Sequence, residues 1–75
     1  MEYQANINVS TEDSPIPMIR TKELLDLLSS GDVLKVTVGR ESAVKNIRTL
    51  ISNNPYELIK INNLKDEFVL FIKKL

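Results

Sequence analysis

The stretch from Ser14 to Val38, SPIPMIRTKELLDLLSSGDVLKVTV, encodes a helix followed by a strand. Pro15 and Pro17 fix the backbone where a helix can begin, because proline is tolerated in a first helical turn. Apolar side chains then recur at helical spacing and predict one buried stripe. Gly31 stands where a left-handed residue ends a helix, and the β-branched run from Val33 to Val38 predicts a strand. The stripe consists of Met18, Thr21, Leu24, Leu25 and Leu28.

The segments on either side complete an alternation of strands and helices. Residues from Tyr3 to Val9 alternate apolar and polar, which is the period of a half-buried strand. A second helical stripe follows Gly39 and ends at Asn53-Asn54-Pro55. Two last strands, Tyr56 to Ile61 and Phe68 to Lys73, are separated by polar residues that favour an antiparallel hairpin. The second stripe consists of Ala43, Val44, Ile47, Leu50 and Ile51.

The resulting order is βαβαββ, in a single predicted domain spanning residues 1–75. Right-handed strand–helix–strand crossovers place both helices on the same side of one sheet. The predicted fold class is therefore α/β, an α+β two-layer sandwich with two helices on one face of a four-stranded mixed sheet. Val33, Val69 and Phe71 fall out of phase with the helix-facing side chains, on the uncovered face. We expect edge positions in the hairpin to explain them, and a partner or self-association surface is the alternative.

Composition limits the chemistry open to the chain. It has no cysteine and no histidine, which removes disulfides, thiol nucleophiles, the commonest general base and the usual zinc ligands. Ten basic residues balance ten acidic ones, so no overall field attracts nucleic acid or a membrane surface. No acidic cluster suggests a metal site, and we predict no cofactor. The apolar run from Phe68 to Ile72 is too short to span a membrane and no signal peptide is visible, so we predict a cytoplasmic protein.

Several motifs, in a fixed order, carry a family resemblance. The segment SPIP at 14–17 is followed by TK at 21–22 and GDVLKV at 31–36, and the chain closes with the strand from Phe68 to Lys74. This arrangement resembles the TusA/SirA-like sulfur-carrier family, whose signature is Cys-Pro-x-Pro at the start of the first helix. The resemblance covers nearly the whole chain and implies the same βαβαββ fold. In that family the cysteine, favoured as a thiolate by the helix dipole, accepts sulfur as a persulfide and passes it on.

Ser14 occupies the position of the family cysteine. A serine hydroxyl is far less acidic than a thiol and does not carry transferable sulfur, so we assign no catalytic residue. We expect Ser14 to act as a helix N-cap that accepts a backbone N–H, which contributes about 1 kcal/mol. Two other departures from the family pattern, Asn53-Asn54-Pro55 before the third strand and Gly39-Arg40-Glu41 after the second, affect loop shape.

Two groups of side chains are candidates for binding. Lys22 matches a family lysine and could steer an anionic partner, although a solvated lysine is an equal alternative. Arg40, Lys45 and Arg48 could contact phosphate, but Glu41 lies among them and no aromatic side chain accompanies them, so a solvated helix face is favoured. The binding residues that the resemblance implies at the first helix are Ser14, Pro15, Pro17 and Lys22.

We interpret the chain as a TusA/SirA-like domain protein that lacks the sulfur-accepting cysteine and binds another protein, such as a sulfur-relay or redox enzyme. It would then not be an enzyme, and would be a monomer or a weak dimer. One alternative is an active persulfide carrier in which serine has replaced a natural cysteine at position 14. Another is a nucleic-acid-binding or regulatory module that uses Arg40, Lys45 and Arg48, which the balanced charge disfavours.

Overall fold

Strands and helices follow one another in the predicted βαβαββ order. The computed structural model describes residues 1–75. Every predicted element is present, and boundaries differ by a few residues; the third strand, for example, continues two residues past Ile61. Neither helix has the length and apolar character that a membrane span requires. The elements are β1 (Ala5–Asn8), α1 (Ile16–Leu27), β2 (Val33–Val38), α2 (Glu41–Ser52), β3 (Tyr56–Asn63) and β4 (Phe68–Lys74).

The four strands form one mixed sheet in the order β1-β2-β4-β3. β1 pairs with β2 in parallel, and β4 is antiparallel to both of its neighbours. Val36 of β2 lies between Ile7 of β1 and Leu70 of β4, so one row of apolar side chains crosses the sheet. The predicted fold class, two helices with a four-stranded mixed sheet, is confirmed.

The core lies between the helices and one face of the sheet. Alternate residues of β2 are fully buried there, and Leu25 of α1 and Ile47 of α2 pack against them. Thr21 is the polar member of the α1 stripe, and its hydroxyl donates to the carbonyl oxygen of Pro17 at 2.7 Å. Because that hydroxyl is satisfied within the helix, the threonine can be buried at low cost. The strand residues of the core cluster are Leu34, Val36, Val38, Tyr56, Leu70 and Ile72.

The expectation that edge positions explain the apolar residues on the uncovered face is wrong. Val33 lies on β2, and Val69 and Phe71 lie on β4, which are the two inner strands. Val33 is half-buried, and the exposed fractions of Val69 and Phe71 are only 7% and 6%. The side chain of Tyr3 lies against Phe71 on this face. The ring centroid of Tyr3 lies 6.3 Å from that of Phe71, and Lys35 Nζ lies 5.2 Å from the Tyr3 ring centroid. Tyr3 and Lys35 therefore shield Phe71 on the face that carries no helix.

Glycine is required at two turns. Gly31 has the predicted left-handed conformation, with a φ of 92°, but it does not end the helix: α1 stops at Leu27, and its C-cap is the extended residue Leu28. The N–H of Gly31 donates to the carbonyl oxygen of Lys74 at 2.6 Å. Gly39, after β2, allows a close backbone approach, since a Cβ built there would overlap the carbonyl group of Ser10. The loops that follow β1 and β2 can lie side by side because Gly39 has no side chain.

We expect Gly39→Ala to lower the free energy of unfolding by about 1–3 kcal/mol, because the Ser10 loop must move to admit the methyl group. Chemical denaturation followed by circular dichroism measures this loss. Gly31→Ala is the comparison, since a Cβ at that position would meet no atom within 4 Å and only the positive φ opposes the change, at about 1 kcal/mol. Equal stability of Gly39→Ala and the parent chain would contradict the close approach.

Candidate functional site

The beginnings of both helices lie at one end of the sheet. α1 follows β1 and α2 follows β2, and because these strands are parallel their carboxyl ends meet at the same edge. Two contacts join the loops there. The Ser14 hydroxyl donates to the Ser42 hydroxyl oxygen at 3.4 Å, and Arg40 Nη2 lies 3.2 Å from Asp13 Oδ1. All four side chains are exposed, so these contacts position the loops without closing the site to water.

Ser14 is not the helix N-cap, which corrects the sequence-based expectation. α1 begins at Ile16, Pro15 takes the cap position, and no side chain caps the helix. The two N–H groups that Ser14 would have capped are not available to it. The N–H of Ile16 donates to the carbonyl oxygen of Asp13 at 2.9 Å, and Pro17 has no N–H. The Ser14 hydroxyl is therefore left for Ser42 and for solvent.

Pro15 is exposed beside Ser14, whereas Pro17 is fully buried and packs in the interior. Two isoleucines, Ile16 and Ile19, accompany Pro15 on the outside of the helix with 40% and 43% of their surface exposed. They are three residues apart and so share one side of α1. The start of α1 thus presents a small apolar patch, defined by Pro15, Ile16 and Ile19, next to the Ser14 hydroxyl.

Lys22 is engaged within the molecule. Its Nζ lies 2.8 Å from Asp26 Oδ2, one turn further along α1, and the hydroxyl of Tyr56 donates to Asp26 Oδ1 at 2.9 Å. Asp26 thus connects α1 to the start of β3. Hydrogen bonding to Asp26, together with its charge, raises the pKa of Lys22 above its usual value. Hydrogen bonds from Lys22 and Tyr56 lower the pKa of Asp26, and burial followed by the bond to Asp26 raises the pKa of Tyr56.

The three basic residues predicted near α2 do not form one surface. Arg40 is paired with Asp13 and lines a groove beside Gly39 and the β3–β4 turn. Lys45 and Arg48 line a different groove, between α2 and the β3–β4 hairpin. The division weakens the interpretation of Arg40, Lys45 and Arg48 as a single phosphate-binding cluster.

Three features of the site escaped the sequence analysis. Ile16 and Ile19 could have been recognised, because they fall outside the stripe that α1 buries. Ser42 could not, since it meets Ser14 across 28 positions of sequence. The bond between Tyr56 and Asp26 likewise joins residues 30 positions apart, and no local pattern marks such a pair.

Comparison with known proteins places this architecture in a family. The family model for the sulfurtransferase TusA matches residues 5–74, almost the entire chain. The chain belongs to the TusA family. It is 27% identical to the sulfur carrier protein TusA of Allochromatium vinosum, over 97% of this chain and 96% of that protein. It is also 29% identical to a candidate sulfur carrier protein of Methanocaldococcus jannaschii, over 91% of each chain.

A solved structure supports the fold of this TusA-family chain. The SirA-like protein of Desulfitobacterium hafniense superposes with a TM-score of 0.84 at 22% sequence identity. The match covers 93% of this chain and 96% of that protein. The resemblance inferred from the motifs at the first helix is therefore confirmed at the level of family and fold.

The Lys22–Asp26–Tyr56 contacts predict a specific pH dependence of stability. The pKa of Asp26 is lower in the folded chain than in the unfolded chain, so its ionised carboxylate stabilises the fold. This stabilisation is complete above about pH 4, where unfolded aspartate titrates, and is lost as the pH falls through the lowered pKa. Lys22 and Tyr56 have raised pKa values, so their contributions are present below about pH 10 and are lost as the pH rises further. We expect Asp26→Asn to be less stable than the parent near neutral pH and to lose less stability in acid. Urea denaturation between about pH 2 and 7 measures both effects.

Two further variants make this pH experiment decisive. Tyr56→Phe removes only the hydroxyl that donates to Asp26, and we expect it to lower the free energy of unfolding by about 1 kcal/mol. Asp66→Asn changes an exposed aspartate that takes part in none of the ion pairs, so it should keep the acid profile of the parent. If Asp26→Asn and Asp66→Asn gave the same acid profile, Asp26 would not be the group that links stability to pH.

Proposed function

We propose that this TusA-family chain is a non-catalytic member that binds a sulfur-relay or redox enzyme through the start of α1. The observation that carries the proposal is the exposed Ser14 hydroxyl, placed where the family signature has its cysteine and bordered by the apolar patch of Pro15, Ile16 and Ile19. This surface lies where the family accepts sulfur, but it has no thiol. It can therefore bind a sulfur-donating protein without receiving the sulfur. We predict that the protein is cytoplasmic and that it is a monomer or a weak dimer.

The surroundings of Ser14 do not supply the reactivity that its oxygen lacks. Persulfide transfer requires a thiolate that attacks the outer sulfur of a donor persulfide, forms a new S–S bond and releases the donor thiolate. A serine hydroxyl would need a neighbouring base even to act as a nucleophile. The neighbour of Ser14 is the hydroxyl of Ser42 at 3.4 Å, the carboxylate of Asp13 is held by Arg40, and the chain contains no histidine.

The apolar patch supports a docking role. Exposing isoleucine side chains to water is unfavourable, and Ile16 and Ile19 lie side by side at the helix start. Contact with a partner would remove this apolar surface from water. Ile16 and Ile19 are exposed, whereas Met18 and Leu24 of the same helix are half-buried against the core cluster. Charged side chains follow further along α1, where Arg20 pairs with Glu23 and Lys22 with Asp26. The patch is therefore apolar at its centre and polar beside it, as protein interfaces are.

We expect Ser14→Cys to acquire a persulfide from a persulfide-bearing donor enzyme, whereas the parent chain stays unmodified because it has no thiol. Intact-mass spectrometry detects the gain of one sulfur atom, and its removal by a reducing agent identifies it as sulfane sulfur. Ser42→Cys is a matched control, since it places a thiol at the next helix start, with its side-chain atom in contact with that of Ser14. Sulfur loading of Ser42→Cys but not of Ser14→Cys would contradict the assignment of position 14.

A competition experiment tests docking separately from chemistry. We expect an excess of the parent chain to slow sulfur transfer to Ser14→Cys, because the parent occupies the donor and cannot accept sulfur. The double variant Ile16→Glu/Ile19→Glu should lose this inhibition, since two carboxylates replace the apolar patch. Leu27→Glu is the control, because Leu27 is 81% exposed at the other end of α1. If the parent chain did not inhibit, or if the Leu27 variant lost inhibition as fully as the double variant, docking through the patch would be wrong.

A further inference from the structure

A surface groove between α2 and the β3–β4 hairpin takes no part in the site described above. Its volume is about 320 Å³ and it opens beside Glu41, the first residue of α2. Val44, Ile61 and Phe68 form its apolar part, and each is only half-buried although it packs against the core. The groove therefore exposes apolar surface where side chains of α2 and of the β3–β4 hairpin meet.

Two cations line the groove without an internal partner. Lys45 and Arg48 are three residues apart on α2, hence on one side of the helix, and both are exposed. The ion pairs of the molecule join Arg20 to Glu23, Lys22 to Asp26 and Arg40 to Asp13, and none includes either of these two cations. Glu41, one turn before Lys45, is the single carboxylate of the lining, so the groove keeps a net positive charge that favours an anionic side chain.

One of the strands that line the groove, β3, is an edge strand. In the order β1-β2-β4-β3, β3 pairs on one side only, with β4. Its register is interrupted between Leu58 and Lys60, and the stretch from Lys60 to Asn63 is then paired without interruption. Ile61 and Asn63 of this regular stretch line the groove. The groove therefore follows a regular stretch of extended chain, which suits an extended segment of a partner.

We propose that this groove binds an extended, acidic and aliphatic segment of a partner protein. The carboxylates of the segment pair with Lys45 and Arg48, and its aliphatic side chains lie on Val44, Ile61 and Phe68. Its backbone runs between α2 and the β3–β4 hairpin, so that alternate side chains point to the helix and to the sheet. The groove is distinct from the apolar patch at the start of α1, so the inference does not require that Ser14 or the patch contacts a donor.

The shape and chemistry of the groove favour this occupant over others. The groove is open on one side, whereas small molecules are bound in sites that surround most of their surface. Single-stranded nucleic acid stacks its bases on exposed aromatic rings, and Phe68 is the sole aromatic residue here and is half-buried. An extended peptide can direct alternate side chains to the two cations and the apolar residues.

The test is a titration of the full chain with the peptide acetyl-Leu-Glu-Val-Glu-Leu-amide, followed by two-dimensional amide NMR. We expect shifts of the amides from Val44 to Arg48 and from Lys60 to Asn63. The double variant Lys45→Glu/Arg48→Glu should weaken binding by about tenfold or more, and so should replacement of both peptide glutamates by glutamine. Arg20→Glu/Lys65→Glu changes the net charge equally at two exposed residues outside the groove, and should weaken binding much less.

Each other result overturns the proposal in a recognisable way. No amide shift at millimolar peptide means that the groove does not bind such a segment. Equal binding of the glutamine peptide, or equal weakening by the two double variants, means that Lys45 and Arg48 do not select an anion. Shifts confined to the start of α1 assign the peptide to the apolar patch. Tighter binding of an oligothymidine at the same amides assigns the groove to nucleic acid instead. A failed competition at the apolar patch affects none of these readouts.

Discussion

β4 is hydrogen-bonded on both sides, to β2 and to β3, and the residues from Val69 to Ile72 are buried whichever face of the sheet they occupy. Because β2 and β3 are both antiparallel to β4, they are parallel to each other and α2 must cross over from one to the other. β1 is parallel to β2 as well. Both helices therefore start at the same end of the sheet, and Ser14 meets Ser42 there. The parallel pairing of β1 with β2 thus determines where the candidate site lies, and β4 completes the sheet beside that pair.

The contacts at this end of the molecule stabilise the fold without involving a reactive side chain. Gly39 allows the loop at Ser10 to approach, and Arg40 pairs with Asp13, so the two loops are held together without any contribution from a reactive side chain. Asp26 joins α1 to β3 through Tyr56 in the same way. A cysteine at position 14 is not needed for any of these interactions. The family fold therefore forms with serine at this position.

The particular errors of the sequence analysis have physical causes. Ser14 has the residue type and the position of an N-cap, but a cap needs a free N–H, and the second proline of the motif and the carbonyl of Asp13 remove both candidates. The hairpin that joins β3 to β4 along the chain suggests an edge position for Val69 and Phe71. Strand order is set by which strands pair, and β2 pairs with β4 rather than with β3. Pro17, predicted as a binding residue, is instead buried.

The sequence by itself determined the element order, the fold class, the family and the absence of a thiol, because hydrophobic periodicity, turn residues and composition are local properties of a chain. It also marked the start of α1 as the place of interest. The tertiary structure alone decided that the Ser14 hydroxyl faces Ser42, that Lys22 is occupied by Asp26, and that Lys45 and Arg48 border a groove apart from Arg40. Side chains that meet across tens of residues do so through packing, and no spacing in the sequence encodes that packing.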